Sequence, residues 1–443
     1  MALTFIDLFA GVGGFHQALS AFGFRCTFAS EIDKRAQAVY LANHGESLDG
    51  PLVGDLIPLS EDRVDNVIPT HDILTAGFPC QPFSKSGRQA GVNEARGTLF
   101  FNIARVIEAR RPNLVILENV RNIAGPRHTN TWQTIHAILS GLGYHVNARP
   151  VILSPHRLSP EHGGTPQFRE RVFIVAIKAK NSAVGEHAVP DILQNRPTGD
   201  WRPARWRLQR DLLLPRRSIQ NPQQYDLDEG EVEALETWDA FTQAWRRGGR
   251  ESLPGFPLWT EFWDTAAVEA PDTPEWKRIL IRKNRRFAKD NRDVIAKWRS
   301  DFAASLLGLP PSQLKYEWQA NDIPSLWRGL IQFRPSGIRV RPATYTPALV
   351  ALNQTPIVGP KRRRLAVEEA ALLQGLPSTF SFAGQPMSES YKQLGNAVAV
   401  GVVQHLLIQL ALREPRLLAS ISSAILEGAA RAGIEAAPVW YDS

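Results

Sequence analysis

The chain has 443 residues, 43% hydrophobic and 21% charged, a length that predicts two or three domains with a sizeable core. Its net charge of +7 leans towards an anionic partner without by itself requiring nucleic acid. Two cysteines, Cys26 and Cys80, are too few for a secreted disulfide framework or a thiolate-based structural zinc site; no signal peptide or uninterrupted apolar stretch of membrane-spanning length is visible, so a soluble cytoplasmic protein with no metal and no membrane partner is expected.

In chain order, residues 3–9 read as a strand, followed by a glycine turn and an amphipathic helix to about residue 22. Residues 25–30 read as a second strand and 33–43 as a second helix. The runs 71–76, 113–117 and 172–177 are further apolar segments ending in polar residues. Strands alternating with helices predict an α/β fold, a doubly wound and mostly parallel sheet of Rossmann type, with ligands at the carboxyl ends of the strands. From 181 to 345 that alternation is lost, and ten of the twelve tryptophans fall there (Trp201, Trp206, Trp238, Trp245, Trp259, Trp263, Trp276, Trp298, Trp318, Trp327). An inserted smaller domain over 181–385 is expected, with 1–180 and 386–443 forming the first.

Asp7-Leu8-Phe9-Ala10-Gly11-Val12-Gly13-Gly14-Phe15 sets a glycine-rich turn between strand and helix, where the backbone can approach a nucleotide. A dinucleotide fingerprint would need a third glycine where His16 stands, so the pattern favours an adenosyl ligand without pyrophosphate. Glu31 ends the second strand, where a carboxylate can hold both ribose hydroxyls, and Asp55 is placed for an adenine amino group.

Gly77-Phe78-Pro79-Cys80-Gln81-Pro82-Phe83-Ser84 follows an apolar strand, which leaves Cys80 accessible in a polar loop, whereas Cys26 sits between Phe24 and Phe28 as a buried structural thiol would. The next strand ends in Glu118-Asn119-Val120. In Gln167-Phe168-Arg169-Glu170-Arg171, strand period two sends Gln167, Arg169 and Arg171 to one face. Each of these arginines alone is as well explained by a salt bridge. Together, thiol, carboxyl and guanidinium fit a pyrimidine ring.

In order and spacing these motifs resemble the cytosine-C5 DNA methyltransferases. The resemblance covers the first 180 residues and resumes at Arg364-Leu365-Ala366-Val367-Glu368-Glu369-Ala370, Leu373-Gln374-Gly375-Leu376-Pro377 and Gln393-Leu394-Gly395-Asn396-Ala397-Val398. Leu376 departs from a frequent Phe and touches no chemistry. The resemblance implies S-adenosylmethionine as methyl donor, held by Phe9, Gly11, Gly13, Gly14, Glu31, Ile32, Asp55, Leu56, Pro79, Leu99, Asn396 and Val398. It implies that Cys80 adds to C6 of cytosine, Glu118 holds N3 and the exocyclic amine, Arg169 binds O2, and Arg171 braces Arg169 and the loop.

A ring inside a duplex cannot present C6 to a thiol, so double-stranded DNA would be bound with the target base flipped out. Residues 82–97 have the composition of a loop closing over DNA, with Ser84, Ser86, Arg88 and Gln89 as contacts. Over 275–300, Arg278, Arg282, Arg285, Lys289 and Arg292 recur at helical steps as a phosphate-facing stripe, the alternative being a solvated basic face. Trp276, Leu280, Phe287, Val294 and Trp298 would anchor that helix, and Arg334, Arg339 and Arg341 are better placed to reach base edges. Amino-group methylation is disfavoured because the Pro-Pro pair, Pro310-Pro311, lacks the flanking residues that chemistry uses. A tRNA-modifying relative would have a shorter second domain, and a catalytically dead regulator would not keep every catalytic position. Family analogy adds a restriction–modification context, a separately encoded cognate endonuclease, and a monomer.

Overall fold

The computed structural model describes residues 2–62, 64–79, 99–179, 201–250, 252–264, 272–321, 323–349, 355–418 and 420–436. The chain forms two compact units: Met1–Trp206, Pro347–Ala351 and Ala370–Ser443 make the first, Arg207–Thr346 and Leu352–Glu369 the second.

In the first unit the strands are β1 (Thr4–Leu8), β2 (Arg25–Ser30), β3 (Leu52–Val53), β4 (Ile73–Gly77), β5 (Leu114–Val120), β6 (Tyr144–Val146), β7 (Val151–Leu153) and β8 (Arg171–Lys178). They form one sheet in the order β3-β2-β1-β4-β5-β8-β6, with β7 also paired to β8. Strands β1 to β5 are parallel, whereas β8 runs antiparallel to β5, β6 and β7. This is the mostly parallel α/β sheet that the alternation of strand and helix predicts. Both faces are covered, which is why residues 114–117 and 172–177 are continuous apolar runs, all at most 1% exposed. Because β2 and β4 flank β1 on opposite sides, the winding reverses at β1 and opens a crevice at the carboxyl ends of β1 and β4.

Helices α1 (Gly14–Ser20) and α2 (Lys34–His44) follow β1 and β2. Helix α2 starts where Asp33 accepts from Arg35 N and Ala36 N at 2.8 and 3.2 Å, an N-cap that fixes the turn after β2. Helices α3 (Leu99–Arg110) and α4 (Thr129–Gly141) flank β5 in sequence. The segment Met387–Arg413 is long and apolar enough to cross a membrane by length and composition, although Asn396, Gln404, His405 and Gln409 interrupt its apolar run as expected. It is a core segment: 94% of its most apolar window is buried inside the protein. Trp201 and Trp206 also belong to this unit, both donating through Nε1 to the His156 carbonyl, at 3.2 and 2.9 Å.

The second unit carries α5 (Glu229–Arg247), α6 (Glu275–Asp290) and α7 (Arg292–Asp301), with β9 (Leu258–Trp259), β10 (Lys315–Trp318), β11 (Gly329–Arg334), β12 (Gly337–Pro342), β13 (Ile357–Val358) and β14 (Arg363–Arg364). Its sheet order is β14-β13-β11-β12-β10-β9. Aromatic residues build its core: Trp238 of α5 stacks on Tyr316 of β10, ring centroids 4.6 Å apart, beside Trp298, Phe241 and Trp263. The indole N–H groups of Trp238 and Trp298 donate to the Gln313 and Thr237 carbonyls, each at 2.8 Å, so both rings are buried without an orphaned donor.

The helix expected over 275–300 is two helices, broken at Asn291 (φ −132). Arg292 therefore leaves the basic stripe. Trp276, expected as an anchor, is 62% exposed; Ile281, Asn284, Phe287 and Ala288 bury α6 instead. Asn284 is a central element that pattern reading missed. Its Oδ1 accepts from Trp259 N and Trp263 Nε1 at 2.7 and 3.1 Å, while its Nδ2 donates to the Pro257 and Leu280 carbonyls. Arg282 and Lys289 are exposed and Arg285 is half-buried.

Candidate active site

A cavity of about 450 Å³ occupies the crevice of the first unit. Its walls come from the turn after β1 (Phe9, Gly11, Val12), the end of β2 (Ser30, Glu31, Ile32, Asp33), the segment Gly54–Ile57, the end of β4 (Gly77, Phe78, Pro79), Leu99, Glu118, Val120 and Arg171, and Lys392, Gln393, Gly395 and Asn396 near the end of the α8 helix (Met387–Asn396).

At the β1 side the chain turns sharply. Phe9 has φ +57, an unusual value for a bulky residue, and Gly11 and Gly13 follow at φ +56 and +88. The Gly11 amide donates to Glu31 Oε2 and the Asp33 amide to Glu31 Oε1, both at 2.8 Å. Glu31 thus fastens the glycine turn to the end of β2, and each carboxylate oxygen retains lone-pair capacity for a ligand hydroxyl. A Cβ on Gly14 would stand 2.6 Å from the Val398 carbonyl, so this glycine permits a close backbone approach. Of the twelve residues expected around the donor, Phe9, Gly11, Glu31, Ile32, Asp55, Leu56, Pro79, Leu99 and Asn396 line the cavity. Gly13, Gly14 and Val398 do not. Gly13 abuts His44, and Val398 backs the turn from behind, packed on Gly14 and Gly77.

On the other side, parallel pairing sets Gly77 opposite Glu118. Asn119, quoted in its motif but given no role by sequence reasoning, holds this junction: its Nδ2 donates to the Phe78 carbonyl at 2.9 Å and its Oδ1 accepts from Val120 N at 2.8 Å. That bond fixes the start of the loop leading to Cys80. Cys80 itself, with Ser84, Ser86, Arg88 and Gln89, lies outside the described residues. Cys26 is fully buried, and burial pushes its thiol up to about 12.

Glu118 is buried, and desolvation raises its pKa despite the opposing pull of Arg171 and Arg169. Arg171 Nε stands 3.0 Å from Glu118 Oε1 but out of line for a hydrogen bond, so that oxygen has no hydrogen-bond partner among the described residues. Both side chains line the cavity. Arg169 does not: it is 1% exposed, and its Nη2 donates to the carbonyls of Gly395 and Ala397 at 3.0 and 2.6 Å. Burial, then the charge of Arg171, push its guanidinium down to about 9. The two arginines thus differ in placement. Arg169 pins the turn that presents Asn396, and Arg171 faces the cavity beside Glu118.

A cavity at the winding reversal, with a glycine turn at one end and a buried carboxyl beside a guanidinium at the other, has the organisation of a group-transfer enzyme that opposes a nucleoside-bearing donor to a second substrate. The C-5 cytosine-specific DNA methylase family profile matches residues 3–411, and the chain belongs to that family of S-adenosylmethionine-dependent enzymes. It is a DNA cytosine-5-methyltransferase. The chain is 38% identical to Type II methyltransferase M.AluI of Cellulosimicrobium cellulans, over 94% of this chain and 93% of that protein. It is 42% identical to Type II methyltransferase M.HhaI of Haemophilus parahaemolyticus, over 40% of this chain and 49% of that protein. Among solved structures, the S. pombe Dnmt2 methyltransferase matches with a TM-score of 0.47 and 18% identity, over 94% of this chain and 99% of that one. Among the described residues no group of His, Cys, Asp and Glu is arranged to hold a metal.

Proposed function

We propose that this enzyme methylates C5 of a cytosine flipped out of duplex DNA, through a covalent bond between Cys80 and C6. The observation that carries this reading is the buried Glu118 carboxyl beside Arg171, at the strand end next to the one that leads to Pro79-Cys80. A carboxyl with a raised pKa keeps its proton to higher pH than an ordinary one and can offer it to N3 of the ring. The Cys80 thiolate adds to C6, the C5–C6 double bond opens, and charge moves towards N3 and O2, where Glu118 and Arg171 receive it. After methylation, loss of the C5 proton drives out the thiolate and restores the ring.

The cavity's fit to the methyl donor rests on the open acceptor capacity of Glu31, the exposed apolar surface of Ile32, 69% exposed at the wall, and the bare Gly11 backbone at the wall, where nothing lies within 4 Å of a Cβ position. S-adenosylmethionine, when bound, supplies a methyl group activated by a sulfonium centre. Phe9 would stack on its adenine, Glu31 hold its ribose, Asp55 and Leu56 meet the adenine edge, and Leu99 and Asn396 complete the enclosure.

Arg171→Ala is expected to lower turnover by roughly 10²–10³-fold with DNA affinity nearly unchanged, as for loss of a group that meets developing charge. Arg169→Met should instead loosen the Gly395–Ala397 turn and raise KM for the donor. Single-turnover rates and donor KM for the two variants check the assignment, and the reverse pattern would restore O2 binding to Arg169.

The second unit, within the stretch 181–385, is assigned to DNA recognition, with the loop 82–97 closing over the duplex through Ser84, Ser86, Arg88 and Gln89. Arg282 and Lys289 of α6 are exposed, as phosphate contacts require. Neutralising both should weaken all sequences alike and flatten the salt dependence by about one slope unit per lost contact. Affinity titrations across ionic strength read this, and an unchanged slope would leave α6 a solvated face. Similarity to M.AluI over nearly the whole chain supports a modification role paired with a separate endonuclease; a cytoplasmic monomer completes the proposed reading. Methylating a plasmid in vitro and mapping modified cytosines by bisulfite sequencing tests the proposal; modification of RNA alone, or of an amino group, would overturn it.

A further inference from the structure

Strands β10, β12 and β11 form an amphipathic sheet. Tyr316, Trp318, Ile338, Val340 and Ile331 face the aromatic core. Period two sends Glu317, Arg339, Arg341, Gln332 and Arg334 to the opposite face, and the pairings Glu317↔Arg339 and Gln332↔Arg339 set them side by side. All five are partly exposed, so this face is open at its polar end.

The side chains are not independent. Arg339 donates to Glu317 Oε2 through Nε at 2.8 Å, and its Nη2 lies 2.7 Å from the same oxygen. Gln319 donates to Glu317 Oε1, and its own Oε1 accepts from Arg341 Nε at 3.0 Å. Arg334 Nη1 lies 3.9 Å from Glu317 Oε2, is buried, and has no hydrogen-bond partner among the described residues. Two guanidinium groups, those of Arg339 and Arg334, thus share the Glu317 carboxylate, and Gln319 holds a third, that of Arg341, beside them, an excess of positive charge on a rigid sheet. Burial, and then Arg339, lower the pKa of Arg341, so an acceptor from outside would be favoured there. A fixed fork of donors matches the paired N7 and O6 acceptors of guanine in the major groove, which a β-ribbon can enter. A fork already held by neighbours loses little freedom on binding.

We propose that this polar sheet face reads guanine in the target duplex, with Arg341 and Arg339 as the reading side chains and Glu317 and Gln319 as the residues that position them. This rests on the reading of the chain as a sequence-specific methylase of duplex DNA. Phosphate contact alone is the rival outcome.

Arg341→Lys keeps the charge and removes the fork. Methylation at the native site should fall about 10–100-fold and the sequence requirement relax at one base pair, while affinity and salt slope on unrelated DNA stay within about twofold. Glu317→Gln removes the shared carboxylate. Affinity for unrelated DNA should rise as discrimination falls, a pairing that loss of stability alone would not give. Once the site is mapped, a cycle with 7-deazaguanine uses the unaltered enzyme: N7 deletion should cost wild type about as much as Arg341→Lys does, and cost the Lys variant little more. Additive losses in that cycle, an unchanged site in both variants, or a parallel loss on all DNA with a flatter salt slope would each overturn the proposal. An unaltered enzyme that methylates no duplex DNA would instead sink the broader reading.

Discussion

Cys80→Ser enzyme is expected to trap no DNA carrying 5-fluorocytosine, and to lose turnover by roughly 10³-fold or more, because the alkoxide precursor is a far weaker nucleophile than a thiolate. In the wild type, addition to C6 and methylation at C5 should proceed on the fluorinated base. Fluorine cannot leave as the proton does, so the electrons that would expel sulfur are never released and the adduct persists through denaturation. Cys26→Ser is the control. Its thiol is sealed between the sheet and Tyr40, with Sγ 3.5 Å from the Phe28 carbonyl, and its ionisation is pushed up to about 12. That variant should trap DNA like wild type, with an effect confined to stability. Gel mobility under denaturing conditions reads both variants. A covalent complex formed by Cys80→Ser would remove Cys80 from the mechanism.

The strand ends were legible because burial on both faces writes long apolar runs, and a polar residue closing such a run marks the sheet edge where ligands bind. Glu31 and Glu118 were found this way, and both line the cavity. Alternation could not say which arginine reaches it. Gln167, Arg169 and Arg171 share a parity, but Arg169 is sealed by Gly395 and Ala397, which arrive more than two hundred residues later. Val398, expected at the donor, packs behind the glycine turn, where a Cβ on Gly14 would stand 2.6 Å from its carbonyl, a placement that no sequence pattern marks. Asn119 was overlooked because a side-chain bond to the Phe78 carbonyl has no periodic signature. In the second unit, the stripe on α6 was visible but the break at Asn291 was not, since neither Pro nor Gly marks it.

Glu118→Gln is expected to lower turnover by roughly 10²–10⁴-fold while DNA affinity changes only a few-fold. Gln keeps the shape and one acceptor, so the exocyclic amine of cytosine can still be held, but it has no acid proton to give to N3 as the ring takes up charge. Affinity and rate should therefore separate, and equal losses in both would count against a transition-state role. The pH dependence should separate them too. The Glu118 pKa is raised in the fold, so its proton is lost at higher pH than for an ordinary carboxyl, and the wild-type rate should decline as pH rises through that value. The amide does not titrate, so this alkaline limb should be missing in Glu118→Gln. Wild-type stability should fall over the same range. Between the unfolded and folded pKa values the native state binds more protons than the unfolded chain, so wild-type stability falls as pH rises through that window and stays lower above it. Gln resembles the protonated acid and escapes that loss. Its Tm should equal the wild-type value in acid and exceed it at alkaline pH, and a variant less stable than wild type at pH 8 would mean that the ionised carboxylate, held by Arg171, is the form the fold prefers.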